Sequence, residues 1–308
     1  MNNVADLIVA KIAEFGAPVC IGLDPFPELF PDELKASVVS RYGDTVQAVV
    51  EAIYEFNVGI ISATADICGV YKPQIAFYEQ YGAPGYEVYQ RTIRALHDAG
   101  KVVIDDSKRG DIGSTATAYA AGHIGKATLF SGSMVSCLDA DFVTVNGYLG
   151  SDGIKPFSDF ANQGKGIFVL AKTSNPSSGE LQDLKLENGR SVFLQMAELI
   201  RSWGEGSIGD SGYSSIGAVV GTTWPEEAAI LRKALPGCFF LVPGYGAQGA
   251  KGTDVRACFN PGGQGAVVNS SRGILYALRR PALQGMHWKD AAREATLEMR
   301  KDINSALK

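Results

Sequence analysis

Short apolar runs rich in β-branched and aromatic residues recur along the chain. They are PVCIGLD (18–24), GVYKP (69–73), KVVIDD (101–106), DFVTVNG (141–147), GIFVLAKTS (166–174), IGAVVGT (216–222), CFFLVPG (238–244) and GAVVNSS (265–271). Most are separated by stretches with helical spacing. In DTVQAVVEAIYEF (44–56), for example, Asp44 is placed to cap a helix whose Val46, Val49, Val50 and Ile53 share a face. Strands that are apolar throughout and alternate with helices predict a parallel sheet buried on both sides. Eight such units in one chain of 308 residues predict a closed (β/α)8 TIM barrel, an α/β fold, rather than an open doubly wound sheet. The first strand has no GxGxxG, and no Pro/Gly/Ser linker divides the chain, so residues 1–308 read as a single domain. Val4, Ile8, Ile12 and Phe15 recur at helical spacing and make 1–16 an amphipathic helix rather than a signal peptide.

Composition narrows the partners. A net charge of −5 with no cluster of Lys and Arg argues against nucleic acid or an anionic membrane as the main partner. No apolar run is expected to span a membrane. Five scattered cysteines without a CxxC suit reduced thiols in the cytoplasm and offer no zinc site.

Polar residues gather where the strands end. Asp24, Lys72, Asp106 with Lys108, Asn146, and Lys172-Thr173-Ser174 close the first five strands; GYGAQG and NSSRG close the last two. Any one of these would be ordinary at a solvated strand end. In a barrel of this kind, however, the site is built from the loops after the C-terminal ends of the strands, so one assumption gathers them all. Strand alternation puts Asp106 and Lys108 on one face and Asp105 on the other. Gly244, Gly246 and Gly249 allow a close backbone approach, Gln248 offers an amide and Arg272 a fork of donors, together suggesting a phosphate grip. His97, His123 and His287 are at no predicted strand end and read as structural, and Ser270 and Ser271 have no evident base partner.

Asp106-Ser-Lys108-Arg-Gly-Asp111, followed by Ile112 and Thr115, resembles the D-x-K-x-x-D pattern of the orotidine 5′-monophosphate decarboxylase group. CIGLDPFPELFP, YKPQIAFYEQYG, KTSNPSS, GYGAQG and NSSRG extend the likeness, to the longer bacterial-type (type 2) members, over nearly the whole chain. Lys72 stands where the related keto-gulonate phosphate decarboxylase has an acidic metal ligand.

The resemblance implies a carboxy-lyase that converts orotidine 5′-monophosphate to uridine 5′-monophosphate and CO2, the last step of de novo UMP synthesis, without cofactor or metal. It implies catalytic roles for Lys72, Asp106, Lys108 and Asp111, with Lys108 protonating C6. Substrate contacts are implied for Asp24, Ile112, Thr115, Asn146, Ser174, Asn175, Gln248, Ser271 and Arg272, and a homodimer in which Asp111 and Thr115 reach the neighbouring site. The stretch 175–191 is a candidate lid; Asp105 and Arg109 are expected to pair near the site without serving it. The alternatives are a magnesium-dependent sugar-phosphate decarboxylase or aldolase of the same superfamily, and a non-catalytic barrel that binds a pyrimidine nucleotide.

Overall fold

The computed structural model describes residues 3–246 and 249–308 and, at Asn162, the backbone alone. Eight strands form one closed barrel: β1 (Val19–Leu23), β2 (Val70–Pro73), β3 (Val102–Arg109), β4 (Phe142–Val145), β5 (Gly166–Lys172), β6 (Ser214–Val220), β7 (Cys238–Val242) and β8 (Ala266–Ser270). Every neighbouring pair is parallel, and β1 pairs with both β2 and β8 to close the ring. Each predicted apolar run overlaps one of these strands, with β3 extending past its run to Arg109 and β6 starting before its run at Ser214.

The continuous apolarity of the runs has a simple cause: both faces are covered. Cys20, Val70, Val102, Ile104, Phe142, Phe168, Val219, Phe239, Leu241 and Val267 fill the interior in one cluster. Alternate residues of the same strands, such as Ile21, Val103, Val143 and Val169, pack outward under the helices. Val4, Ala5 and Ile8 belong to the inner cluster, so the helix Val4–Phe15 stoppers the barrel. Asn3 caps that helix by accepting from the Ala5 N–H at 2.8 Å, and Gly16 ends it with φ 67°.

Local details differ from the sequence reading. The helix Val46–Thr64 is capped by Thr45, whose Oγ1 accepts from the Ala48 N–H at 3.3 Å, not by Asp44. Its buried face is Ala48, Val50, Ala52, Ile53 and Phe56, and Val46 is exposed. By length and composition this helix could cross a membrane, contrary to expectation. Here it packs among the helices Asp32–Tyr42, Gly82–Asp98 and Trp288–Leu307, which accounts for its apolar character. A small antiparallel hairpin, Ala127–Thr128 against Met134–Val135, was not foreseen, because two-residue strands leave no periodicity to read. All five cysteines are unpaired, and only Cys137 is exposed.

Candidate active site

The site is built around a break in the β3 ladder. Asp105 pairs with Val143 and Arg109 with Val145. Asp106, Ser107 and Lys108 therefore oppose the single residue Thr144. Extra residues of this kind bend a strand and re-aim its side chains. Lys108 has a left-handed backbone, φ 48°, a strained conformation for a residue with a Cβ. Thr144 holds the bulge from inside: its Oγ1 accepts from the Lys108 N–H at 2.9 Å and donates to Asp106 Oδ1 at 3.0 Å.

Asp106 is the hub. Its Oδ1 also accepts from Lys108 Nζ at 2.6 Å, and its Oδ2 from Lys72 Nζ at 2.6 Å. Burial alone would raise the Asp106 carboxyl, but the charges of Lys72 and then Lys108, with their hydrogen bonds, hold it well below the usual carboxylate range. Burial would likewise depress Lys72, and the charges of Asp106 and then Asp24 hold it above the usual lysine value instead. Asp24, next after β1, lies 3.8 Å from Lys72 Nζ, and its Oδ1 is buried without a hydrogen-bond partner. An orphaned buried acceptor of this kind is costly unless a ligand hydroxyl or a water reaches it.

Lys72, Asp106 and Lys108 form one wall of a cavity of about 360 Å³. Leu170, Val219, Leu241 and Pro243 supply an apolar wall, and Thr173, Ser174 and Asn175 the rim. The rim is braced. Gln182 accepts from the Thr173 N–H at 3.0 Å and donates to Thr173 Oγ1 at 2.8 Å; that hydroxyl donates to Asn175 Oδ1 at 2.7 Å. Lys172, one of the polar strand ends, does not line the cavity. A register shift between Leu170 and Lys172 turns it outward, to Asp183 at 2.5 Å and against the rings of Phe193 and Trp224. The 175–191 stretch is thus anchored to β5 at two points.

A second cavity, of about 610 Å³, is lined by Gly246, Gly249, Ser270, Arg272 and Gly273 among others. Gly246 and Gly249 have φ of 75° and 85°. Gln248 lies outside the described residues. Ser271 accepts from Asn269 Nδ2 at 3.3 Å and faces Gly22 so closely that a Cβ on Gly22 would collide with its hydroxyl.

The remaining candidates lie apart from the charged wall. Asp111, Ile112 and Thr115 open the helix Gly113–His123; Ile112 and Thr115 are exposed, and Asp111 Oδ1 accepts from the Ile112 N–H at 2.8 Å. Within one chain Asp111 does not reach either lysine. Asn146 is exposed and accepts from the Tyr148 N–H at 3.0 Å. Thr144 was missed by the sequence reading, although its place two residues after the inward Phe142 put its hydroxyl on the inner face.

A model of the orotidine 5′-phosphate decarboxylase / HUMPS family matches residues 17–282. The chain belongs to that family. An orotidine 5′-phosphate decarboxylase of Rhodopirellula baltica is 42% identical, with 98% of this chain and 99% of that protein covered. One from Petrotoga mobilis is 43% identical over 93% of each. The solved structure of the Leishmania donovani OMP decarboxylase superposes with TM-score 0.71 at 30% identity, covering 99% of this chain and 98% of that one. The family match spans all eight strands and the whole lining of the first cavity; the second cavity is also lined by Ala295, Glu298, Met299 and Asp302, which lie beyond it.

The pairing of Asp106 has a sign that can be measured. Its depressed carboxyl contributes stability that is full above the unfolded value of roughly pH 3.9 and is lost as pH falls below it. Asp106→Asn should cost about 3–5 kcal/mol at pH 7 by stranding Lys72. In urea titrations from pH 7 to 2 the gap between wild type and variant should narrow below about pH 4; parallel curves would mean that the carboxylate is not held by the lysines.

Proposed function

We propose that this chain decarboxylates orotidine 5′-monophosphate to uridine 5′-monophosphate, with Lys72, Asp106, Lys108 and Asp111 as its catalytic groups. The observation that carries the mechanism is the arrangement of two ammonium groups 2.6 Å from one buried carboxylate, facing an apolar wall. Counted over these three side chains, the wall has one surplus positive charge.

The chemistry suits that surplus. The bond from C6 to the carboxylate breaks, CO2 leaves, and the electron pair stays on C6 with no ring orbital to spread into. Fixed charges in a site shielded from water stabilise such an anion without the reorganisation that solvent would require. Lys108 Nζ gives its proton to C6 and regains one from water. Asp106, close to the substrate carboxylate, repels it in the ground state, and that repulsion disappears with CO2. Lys72 holds Asp106 in place and keeps it ionised.

The apolar wall and the Thr173–Asn175 rim suit a flat pyrimidine, with Ser174 and Asn175 at its polar edge. The orphaned Asp24 Oδ1 suits a ribose hydroxyl. Arg272, which lines the second cavity, would hold the phosphate there, and Gln248 and Ser271 are assigned to the substrate as well. Remote binding energy of this kind can drive closure of the 175–191 lid. Asn146 and Ile112 complete the substrate shell in this reading.

Asp111 and Thr115 are assigned to the neighbouring site of a homodimer. Support comes from the exposed Thr115 and half-buried Asp111, and from the exposed Ile112, Tyr148 and Leu149 at the same end of the barrel. Five unpaired cysteines fit a reducing, cytoplasmic setting.

The test is the ultraviolet absorbance of orotidine 5′-monophosphate with purified protein, with and without excess EDTA. Conversion that survives chelator is expected, with Lys108→Ala slower by about 10²-fold or more. Loss of conversion in EDTA would favour the magnesium-dependent alternative, and tight binding without turnover the non-catalytic one. Lys72→Ala and Asp111→Ala chains, each inactive, should regain activity when mixed. Half of the dimers are then mixed and one site in two is intact, which gives roughly a quarter of wild-type activity; no recovery would refute the shared site.

A further inference from the structure

The bulge that presents Asp106 and Lys108 is held from outside the barrel by a second set of residues. Asp105 is fully buried and points away from the cavity; its Oδ1 accepts from Tyr89 Oη–H at 2.6 Å, and its Oδ2 is bonded to His123 Nδ1. Arg109 Nε donates to His123 Nε2 at 3.1 Å. A guanidinium can only donate, so His123 Nε2 carries the lone pair, and Nδ1 carries the hydrogen given to Asp105. The Arg109 guanidinium also rests 5.3 Å from the Tyr119 ring and 3.6 Å from Glu79, and its backbone oxygen accepts from the Asn146 N–H at 2.7 Å.

Asp105 and Arg109 are the two residues at which β3 leaves and rejoins its ladder with β4. One imidazole therefore spans the ends of the bulge. Lys108, at φ 48°, is the residue whose backbone most needs such bracing. His123 also ends the helix that begins at Gly113, directly after Asp111 and Ile112. The same ring thus ties the bulge to the helix carrying the residues assigned to the neighbouring site.

We propose that His123 is a positioning residue for the decarboxylation, an imidazole staple across Asp105 and Arg109 that fixes the bulge presenting Asp106 and Lys108. This rests on the reading of Lys108 as proton donor. His123 touches no substrate; it acts through the placement of Lys108, so its loss should appear in turnover and not in binding.

The experiment compares kcat, KM for orotidine 5′-monophosphate and thermal midpoint in the full-length chain for wild type, His123→Leu and His123→Gln. Leu fills the space and bridges nothing, whereas the Gln amide offers a donor and an acceptor in one plane. His123→Leu is expected to lower kcat by about 10–100-fold, the scale of a misplaced reacting group, with KM within about threefold. His123→Gln should recover most of that loss. A His123→Leu enzyme within twofold of wild-type kcat, or a His123→Gln enzyme no better than His123→Leu, would overturn the proposal. If His123→Leu does not fold, Arg109→Leu is read by the same kcat and KM expectations, with kcat within twofold of wild type overturning the proposal, because the Arg109 side chain is 23% exposed and can be removed without opening the core. A wild-type protein without decarboxylase activity would defeat the functional reading itself. An inactive Lys108→Ala beside fully active His123→Leu or Arg109→Leu would defeat the staple alone.

Discussion

One carboxylate held by two lysines and a threonine organises the mouth of this barrel. Asp106 and Lys72 are both almost entirely withdrawn from water, where either charge alone would be expensive. Each makes the other tolerable, and together they tolerate the half-exposed Lys108. Removing Asp106 would leave the buried Lys72 ammonium without its nearest counter-charge, so the carboxylate is the member the array can least lose. The bulge in β3, the Thr144 contacts and the Asp105–His123–Arg109 group all serve to place that carboxylate.

The barrel provides what such an array needs. Its interior is packed solid up to the level of Leu170, Val219 and Leu241, which form the apolar wall facing the charges. Strands buried on both faces are stiff supports, and the loops after them are free to vary. Two jobs are separated in space: charge from β2 and β3 facing apolar surface from β5, β6 and β7, and a glycine-lined arginine site in the loops after β7 and β8. A substrate with an anionic ring at one end and a phosphate at the other matches that separation.

Much of this was legible in the sequence, because parallel strands covered on both sides declare themselves by unbroken apolar runs. The positions of Lys72, Asp106 and Lys108 followed from the ends of those runs. What escaped depended on departures from regularity. Its place at the end of a strand put Lys172 with the polar cluster, but the register shift in β5 turned it toward Asp183. Thr144 looked like one more β-branched strand residue until the bulge set it against three residues of β3. His123 read as a helix residue, because only the fold brings the end of its helix against Asp105 and Arg109. Asp44 and Thr45 are adjacent capping residues, and spacing alone could not separate them.

The central claim is that Lys108 delivers a proton to a carbanion at C6. By microscopic reversibility, an enzyme that does so also removes that proton from the product. The direct measurement is the exchange of the C6 hydrogen of uridine 5′-monophosphate with solvent deuterium, followed by proton NMR. The account predicts slow exchange with wild-type protein and none above background with Lys108→Ala. Exchange undiminished in Lys108→Ala would contradict it.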